Sequence, residues 1–335
     1  MCTALRFPMS SARCSALAVI ACLSTAPAFA DETRDRPLQY VMISFDGAGP
    51  IEQWERSRAL AERTGARFTY FLSCVYAVAR EDRAIYEPPR HAAGGSNVGF
   101  AESRDEAAQR LEQIWTARAE GHEIASHACG HFDGGDWSAA DWKSEFGQFS
   151  ALLTDAWQRN GIGEREPDDW KDFVGNEIVG FRAPYLSTGP GLFEALAQTG
   201  FAYDASTVSS GPAMATEGPV RRFALPMIPE GPKGRAVIAM DYNLFVRHSK
   251  AVETEDIDGA FEERTLSALR AALDAELEGN RVPLQIGLHF TLMNGGAYWR
   301  ALERFTEDVC ARAEVKCVTY RGYLDATGPT TPADG

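Results

Sequence analysis

The strongest constraint on this chain is the alternation of short apolar runs with longer amphipathic stretches. Tyr40-Val41-Met42-Ile43-Ser44-Phe45 reads as a buried strand, and strand signals recur at Arg67–Leu72, His122–Ser126, Glu177–Phe181, Phe201–Tyr203, Leu284–His289 and Val315–Tyr320. Helical spacing marks Ile51–Arg63, Arg104–Ala119, Asp141–Arg159, Gly191–Gln198, Phe261–Glu278 and Trp299–Ala313. Continuous apolar strands separated by helices predict a parallel sheet covered on both faces. About seven such units predict an α/β chain closed, or nearly closed, into a single-domain (β/α) barrel. Two stretches break the rhythm, Cys74–Ser103 and Ser206–Lys250, the second with extra strand signals at Val220–Leu225 and Ala236–Tyr242. Loops of that length in a compact domain are usually functional or disordered. Both are expected to overhang the functional rim and to offer Tyr86, Phe100, Tyr242 and Phe245 as stacking surfaces.

Residues 1–30 read as an export signal: Arg6 and Arg13, an apolar run from Ser15 to Leu23, and small residues at Ala28 and Ala30 before the cut. The mature chain is therefore expected outside the cytoplasm, periplasmic or extracellular, with residues 328–335 a frayed tail. No later segment reaches the ~18 apolar residues of a membrane span, so no membrane insertion is expected. The formal charge is −14, and −16 without Arg6 and Arg13, which argues against nucleic acid as a partner. Cys2, Cys14 and Cys22 leave with the signal. Cys310 and Cys317 bracket a short helix-to-strand link and are expected close enough to bond in an oxidising compartment, whereas the pairing of Cys74 and Cys129 is not legible. Oligomeric state is not legible either.

The chemistry-bearing residues gather at predicted strand ends. His127 and His131 stand four apart just after the strand Glu123-Ile124-Ala125-Ser126, a spacing that lets two imidazoles share a metal. Asp46 closes the first strand before Gly47, either as a turn cap or as a group reaching into a site. His289 ends Leu284-Gln285-Ile286-Gly287-Leu288, and Arg182-Ala183-Pro184-Tyr185 follows Ile178-Val179-Gly180-Phe181. His122 is read as structural. Catalytic groups of barrels collect at the strand C-termini, and here an acid, an imidazole pair, an arginine and a further imidazole end four different strands.

On these residues the chain resembles the polysaccharide deacetylases, carbohydrate esterase family 4, in its chitin-deacetylase-like branch. The likeness runs from about Tyr40 to Tyr323. It rests on Phe45-Asp46-Gly47, His127-Ala128-Cys129-Gly130-His131 after Gly121-His122-Glu123-Ile124, Arg182-Ala183-Pro184-Tyr185, Gly200-Phe201-Ala202-Tyr203-Asp204, Gly287-Leu288-His289 and the stretch Tyr298–Glu303. The resemblance implies a distorted (β/α)7 barrel over 31–327. It also implies a divalent metal, zinc foremost, on Asp46, His127 and His131. By the same resemblance Asp46 is a catalytic base or metal ligand, Arg182 keeps that carboxylate ionised, the Tyr185 backbone N–H meets the oxyanion, His289 protonates the leaving amine, and Asp204 orients His289. The implied substrate is an N-acetylated polysaccharide or oligosaccharide, with an O-acetyl esterase or an inactive carbohydrate-binding protein as alternatives. The family pattern has two adjacent aspartates, and this chain has Asp46 followed by Gly47. Asp133, Asp136 or the Cys74–Ser103 stretch are the sources considered for a replacement acid.

Overall fold

The computed structural model describes residues 36–328 together with Met1 and Thr3. The expected export signal, apart from Met1 and Thr3, and the tail beyond residue 328 lie outside the described residues.

Nine strands form one curled sheet: β1 (Gln39–Gly47), β2 (Thr69–Leu72), β3 (Glu123–Ser126), β4 (Gly180–Phe181), β5 (Tyr203–Ser209), β6 (Arg221–Glu230), β7 (Arg235–Ile238), β8 (Leu284–His289) and β9 (Val315–Cys317). Their order is β7-β6-β5-β4-β3-β2-β1-β8, with β9 also pairing β1. All pairs are parallel except the β6–β7 hairpin. A bridge between Met240 and Gly287, carried by the Gly287 N–H on the Ala239 carbonyl at 2.9 Å, brings the two sheet ends together. The result is a distorted (β/α) barrel, as the alternation predicted.

The helices are α1 (Ile51–Thr64), α2 (Arg104–Ala119), α3 (Ala139–Thr154), α4 (Ala156–Arg159), α5 (Trp170–Asp172), α6 (Pro190–Gln198), α7 (Asp241–Ser249), α8 (Ala260–Glu278), α9 (Met293–Val309) and α10 (Tyr320–Thr327). Several expected boundaries are corrected. The strand expected from Glu177 begins only at Gly180, because Phe173–Glu177 winds into a π-turn. The run expected to continue to Tyr320 stops at Cys317, because the Thr319 hydroxyl accepts the Gly322 N–H and starts α10. The extended run expected through Tyr242 ends at Ile238, and Asp241 opens a helix instead.

The period-2 alternation of the strands divides the core. Val41, Ile43 and Phe45 face the helices, while Met42, Ser44 and Asp46 face the barrel interior. A second cluster of Met42, Phe71, Ala125, Tyr203, Ala205, Phe223 and Tyr320 fills that interior. Gly180 is required there, because a Cβ would stand 2.1 Å from the Tyr203 ring. The same alternation carries Asp46, His127, Arg182 and His289 to the inner face at the strand C-termini.

Two disulfides staple this frame. Cys310–Cys317 joins the end of α9 to β9 with Cα atoms 5.6 Å apart, as its placement predicted. Cys74–Cys129 joins the end of β2 to the histidine loop. Among the described residues no helix is long and apolar enough to cross a membrane.

Candidate active site

Asp46 and His289 are register partners across β1 and β8. Both end their strands facing the interior, so two titratable groups meet at one rim. Asp46 is 4% exposed, and its Oδ1 accepts a hydrogen bond from Arg182 Nη1 at 2.7 Å. Burial would raise its carboxyl, but the Arg182 guanidinium, with help from His127 and His289, holds it below the ordinary carboxylate value. Arg182 is itself locked. It donates to Ser44 Oγ at 2.8 Å, Tyr320 OH at 2.8 Å and the Ala205 carbonyl at 3.1 Å, and it lies 4.1 Å over the Phe71 ring. A fully buried cation is tolerable only with such partners.

His289 has a different environment. Its Nδ1 lies 2.7 Å from Asp241 Oδ1, and its backbone N–H donates to Asp241 Oδ2 at 2.8 Å. Burial lowers its pKa, but Asp241 outweighs burial and raises it to about 9. Trp299 Nε1 holds the His289 carbonyl at 2.9 Å. The imidazole is therefore cationic at neutral pH while Asp46 is anionic. Opposed protonation preferences in one site are the pattern of an acid and base pair.

Asp204 was expected to orient His289, and the structure corrects this. Asp204 binds the backbone N–H of Ser206 at 3.1 Å and the Ser206 hydroxyl, and that hydroxyl accepts the Ala183 N–H at 2.8 Å. Asp204 thus supports the Arg182–Tyr185 turn, and burial pushes its carboxyl up to about 6. The alternation explains the difference: Tyr203 and Ala205 face the interior, so Asp204 faces away from it. Asp241 escaped the sequence reading, although it follows an extended apolar run just as Asp46 does.

The histidine loop follows β3. His127 Nδ1 lies 2.8 Å from the Arg182 carbonyl, which only accepts, so Nδ1 carries the proton and Nε2 is left unprotonated. Burial pushes the His127 pKa down to about 3. The His127 and His131 ring centroids are 5.1 Å apart, and Tyr185 stands edge-on to His131 at 4.6 Å. Ala128 and His131 have φ of 57° and 55°, a left-handed conformation costing ~1–2 kcal/mol per residue. Contacts from outside hold the loop: the Cys74 N–H on the Ala128 carbonyl, the Asn97 N–H on the Gly130 carbonyl and Asn97 Nδ2 on the His131 carbonyl. The Cys74–Ser103 stretch therefore packs on the histidine loop, and α7 from the Ser206–Lys250 stretch packs on His289. Of the four expected stacking aromatics, Tyr86 and Phe245 are buried and Phe100 packs on the core. Tyr242 is 51% exposed, with its ring 6.5 Å from His289. Tyr185, at 58%, is the exposed aromatic on the other side. His122 is structural, its Nδ1 accepting the Phe68 N–H at 3.0 Å.

The donor set falls short of a metal centre. Among the described residues no three His, Cys, Asp or Glu side chains stand together as a metal-holding group. The Asp46 carboxylate is engaged by Arg182, and Gly47 supplies no side chain. Asp133 accepts the Gly135 N–H at 3.0 Å, and Asp136 pairs with Arg90 at 3.2 Å with its side chain 85% exposed. Asp46, His127 and His131 share this rim, with both imidazoles feeling the Asp46 charge, while the carboxylate itself is paired with Arg182.

No family model and no curated protein matches the chain. Solved structures do. A Mycobacterium smegmatis structure assigned to the polysaccharide deacetylases covers 88% of this chain and 91% of its own, at 16% identity and a TM-score of 0.55. A Pseudomonas aeruginosa PAO1 structure of the same assignment covers 87% and 92%, at 16% identity and a TM-score of 0.54. Puue allantoinase covers 87% and 92%, at 17% identity and a TM-score of 0.52. The curled, nearly closed (β/α) barrel of this chain is thus the fold it shares with the structures assigned to the polysaccharide deacetylases.

Proposed function

We propose that this chain hydrolyses the acetamide of an N-acetylated sugar in a polysaccharide or oligosaccharide. The observation that carries the reading is the pairing of Asp46, kept anionic by Arg182, with His289, kept cationic by Asp241, at one strand-end rim. Asp46 takes a proton from the attacking water, whose oxygen bonds to the acetyl carbon. His289 gives its proton to the amide nitrogen as the carbon–nitrogen bond breaks, so acetate and a free amine leave. An amine leaves poorly unless protonated, and an imidazolium with a pKa raised to about 9 suits that leaving group better than the alkoxide of an O-acetyl ester. The turn at Tyr185, beside His131, is the candidate oxyanion donor through its backbone N–H. A bound divalent ion would polarise the carbonyl; His127 and His131 are the imidazoles placed to hold it, and among the described residues the remaining carboxylate at the rim, Asp46, is paired with Arg182.

The fold shared with assigned polysaccharide deacetylases supports a sugar amide, and exposed Tyr185 and Tyr242 beside the imidazoles suit sugar faces. Two disulfides among the described residues suit an oxidising compartment outside the cytoplasm. The test is acetate release from N-acetylglucosamine oligomers, with O-acetylated xylan and allantoin as competing substrates. Release from the N-acetylated oligomers that is lost in Asp46→Asn supports the reading. Preference for the ester, or binding without any release, refutes it.

A further inference from the structure

Behind the histidine loop lies a carboxylate that this chemistry does not use. Glu145 on α3 is 1% exposed. Its Oε1 accepts the Cys129 backbone N–H at 2.8 Å and the Tyr86 hydroxyl at 2.9 Å, and Oε2 stands 3.0 Å from the same hydroxyl. Tyr86, fully buried, in turn accepts the Gly130 N–H at 3.0 Å. Two consecutive amides between His127 and His131 are thus gathered by one side-chain pair, from α3 and from the stretch after β2. Burial pushes the Glu145 carboxyl above its ordinary value. A buried carboxyl is costly unless its oxygens are bonded, and on packing grounds alone an apolar side chain would fill this inner face of α3 more cheaply.

We infer that Glu145, through Tyr86, is the positioning residue that sets where His127 and His131 stand in the hydrolytic site. The transmission is short and stiff. Gly130 sits so close to the clamp that a Cβ would lie 2.6 Å from the Phe132 ring and 2.8 Å from the Tyr86 ring. Cys129 is tied to Cys74 by the disulfide, and the residues at 128 and 131 are both left-handed, so the loop holds a strain that the surrounding hydrogen bonds keep in place. Releasing the Cys129 and Gly130 amides lets the turn relax. His127 then moves off the Arg182 carbonyl, and His131 moves off Tyr185.

This inference rests on the hydrolase reading for its kinetic consequence but not for its first readout, which is the imidazole spectrum of the full chain. Three variants decide it. Glu145→Gln keeps an acceptor for both donors and should stay within ~3-fold of the parent. Glu145→Leu and Tyr86→Phe should shift the His127 and His131 ring resonances, leave those of His289 in place, and lower kcat for acetate release by ~10–100-fold with KM changed less, the size expected of a displacement near 1 Å. Folded Leu and Phe variants with unmoved histidine resonances and parental kcat overturn the inference, and so does a Gln variant as impaired as Leu. Should Glu145→Leu fail to fold, Tyr86→Phe, which deletes one oxygen, carries the test. Should the parent release no acetate, the function reading fails while the resonances still decide the clamp.

Discussion

Replacing Asp241 by Asn tests whether His289 owes its charge to that carboxylate. Asn retains an oxygen for the imidazole N–H at 2.7 Å but removes the negative charge. Without it, burial and the Arg182 charge push the pKa down against the Asp46 charge that remains, and it falls from about 9 toward the ordinary 6.5. The His289 side chain is 27% exposed, so water screens part of the effect, and a fall of ~1.5–2.5 units is expected. At pH 8 an imidazole with a pKa of about 9 is ~90% protonated, one at ~7.5 is ~25% protonated, and one at ~6.5 only ~3%. If the protonated ring is the acid, acetate release at pH 8 should drop by ~4–30-fold, while release near pH 6 changes little. The pH profile of kcat/KM, measured on an N-acetylglucosamine oligomer, should show its alkaline limb moved down by the same interval. A stability readout follows with a definite sign. A histidine whose folded pKa is raised stabilises fully below its unfolded value and loses that contribution as the pH climbs through about 9. The Tm deficit of Asp241→Asn should therefore be largest near pH 6 and shrink toward pH 9. An unmoved alkaline limb, or a Tm deficit independent of pH, refutes the assignment of His289 as the acid.

Asp204→Asn should leave that alkaline limb in place, since Asp204 serves Ser206 and not His289; a shifted limb would restore its expected role. It should also abolish the stability that the parent loses as the pH rises from 3.8 through about 6, read as Tm against pH. Gly47→Asp places a second carboxylate beside Asp46, where among the described residues no metal-holding trio stands; it should raise zinc retained after chelation, measured by elemental analysis, at a strain of ~1–2 kcal/mol from the φ of 85°. Zinc content equal to the parent's would show that the missing donor is not what limits metal binding. Changing Cys74 and Cys129 together to Ser removes a link spanning 55 residues and should cost ~4 kcal/mol in chemical denaturation, against ~2–3 kcal/mol for the pair 7 residues apart. Only the first change should also lower kcat, because only it touches the histidine loop.

The barrel was legible because its strands are short, apolar and separated by helical spacing, and burial on both faces leaves little else for such runs to become. Its exceptions are local. Thr319 turns an apparent strand into the start of α10, and this rests on one hydroxyl whose capping partner, the Gly322 N–H, shows itself only in three dimensions. The Cys310–Cys317 bond was legible because the chain between them is short, whereas Cys74–Cys129 depends on β2 and β3 being neighbours.

The site divides along the same line. Asp46, His127, Arg182 and His289 each end or follow a strand on the inner face, so position in sequence announced position in space. Asp241 does not end a strand; it opens α7 and reaches His289 because Met240 bridges Gly287 across the barrel seam. The β6–β7 hairpin supplies that seam in place of a helix-covered unit, and this departure from strand–helix alternation is what delivers Asp241 to His289. Likewise Asp46 is met by Arg182, and the proposed function takes that hold on the carboxylate as favouring the base over the metal ligand. On that reading the carboxylate, bonded at 2.7 Å to a buried guanidinium, serves as the anion of an acid–base pair, and a metal claiming the same oxygen would have to displace an arginine that Ser44, Tyr320 and Ala205 hold in place. The charge balance of this rim is therefore set by the arginine turn as much as by the histidines.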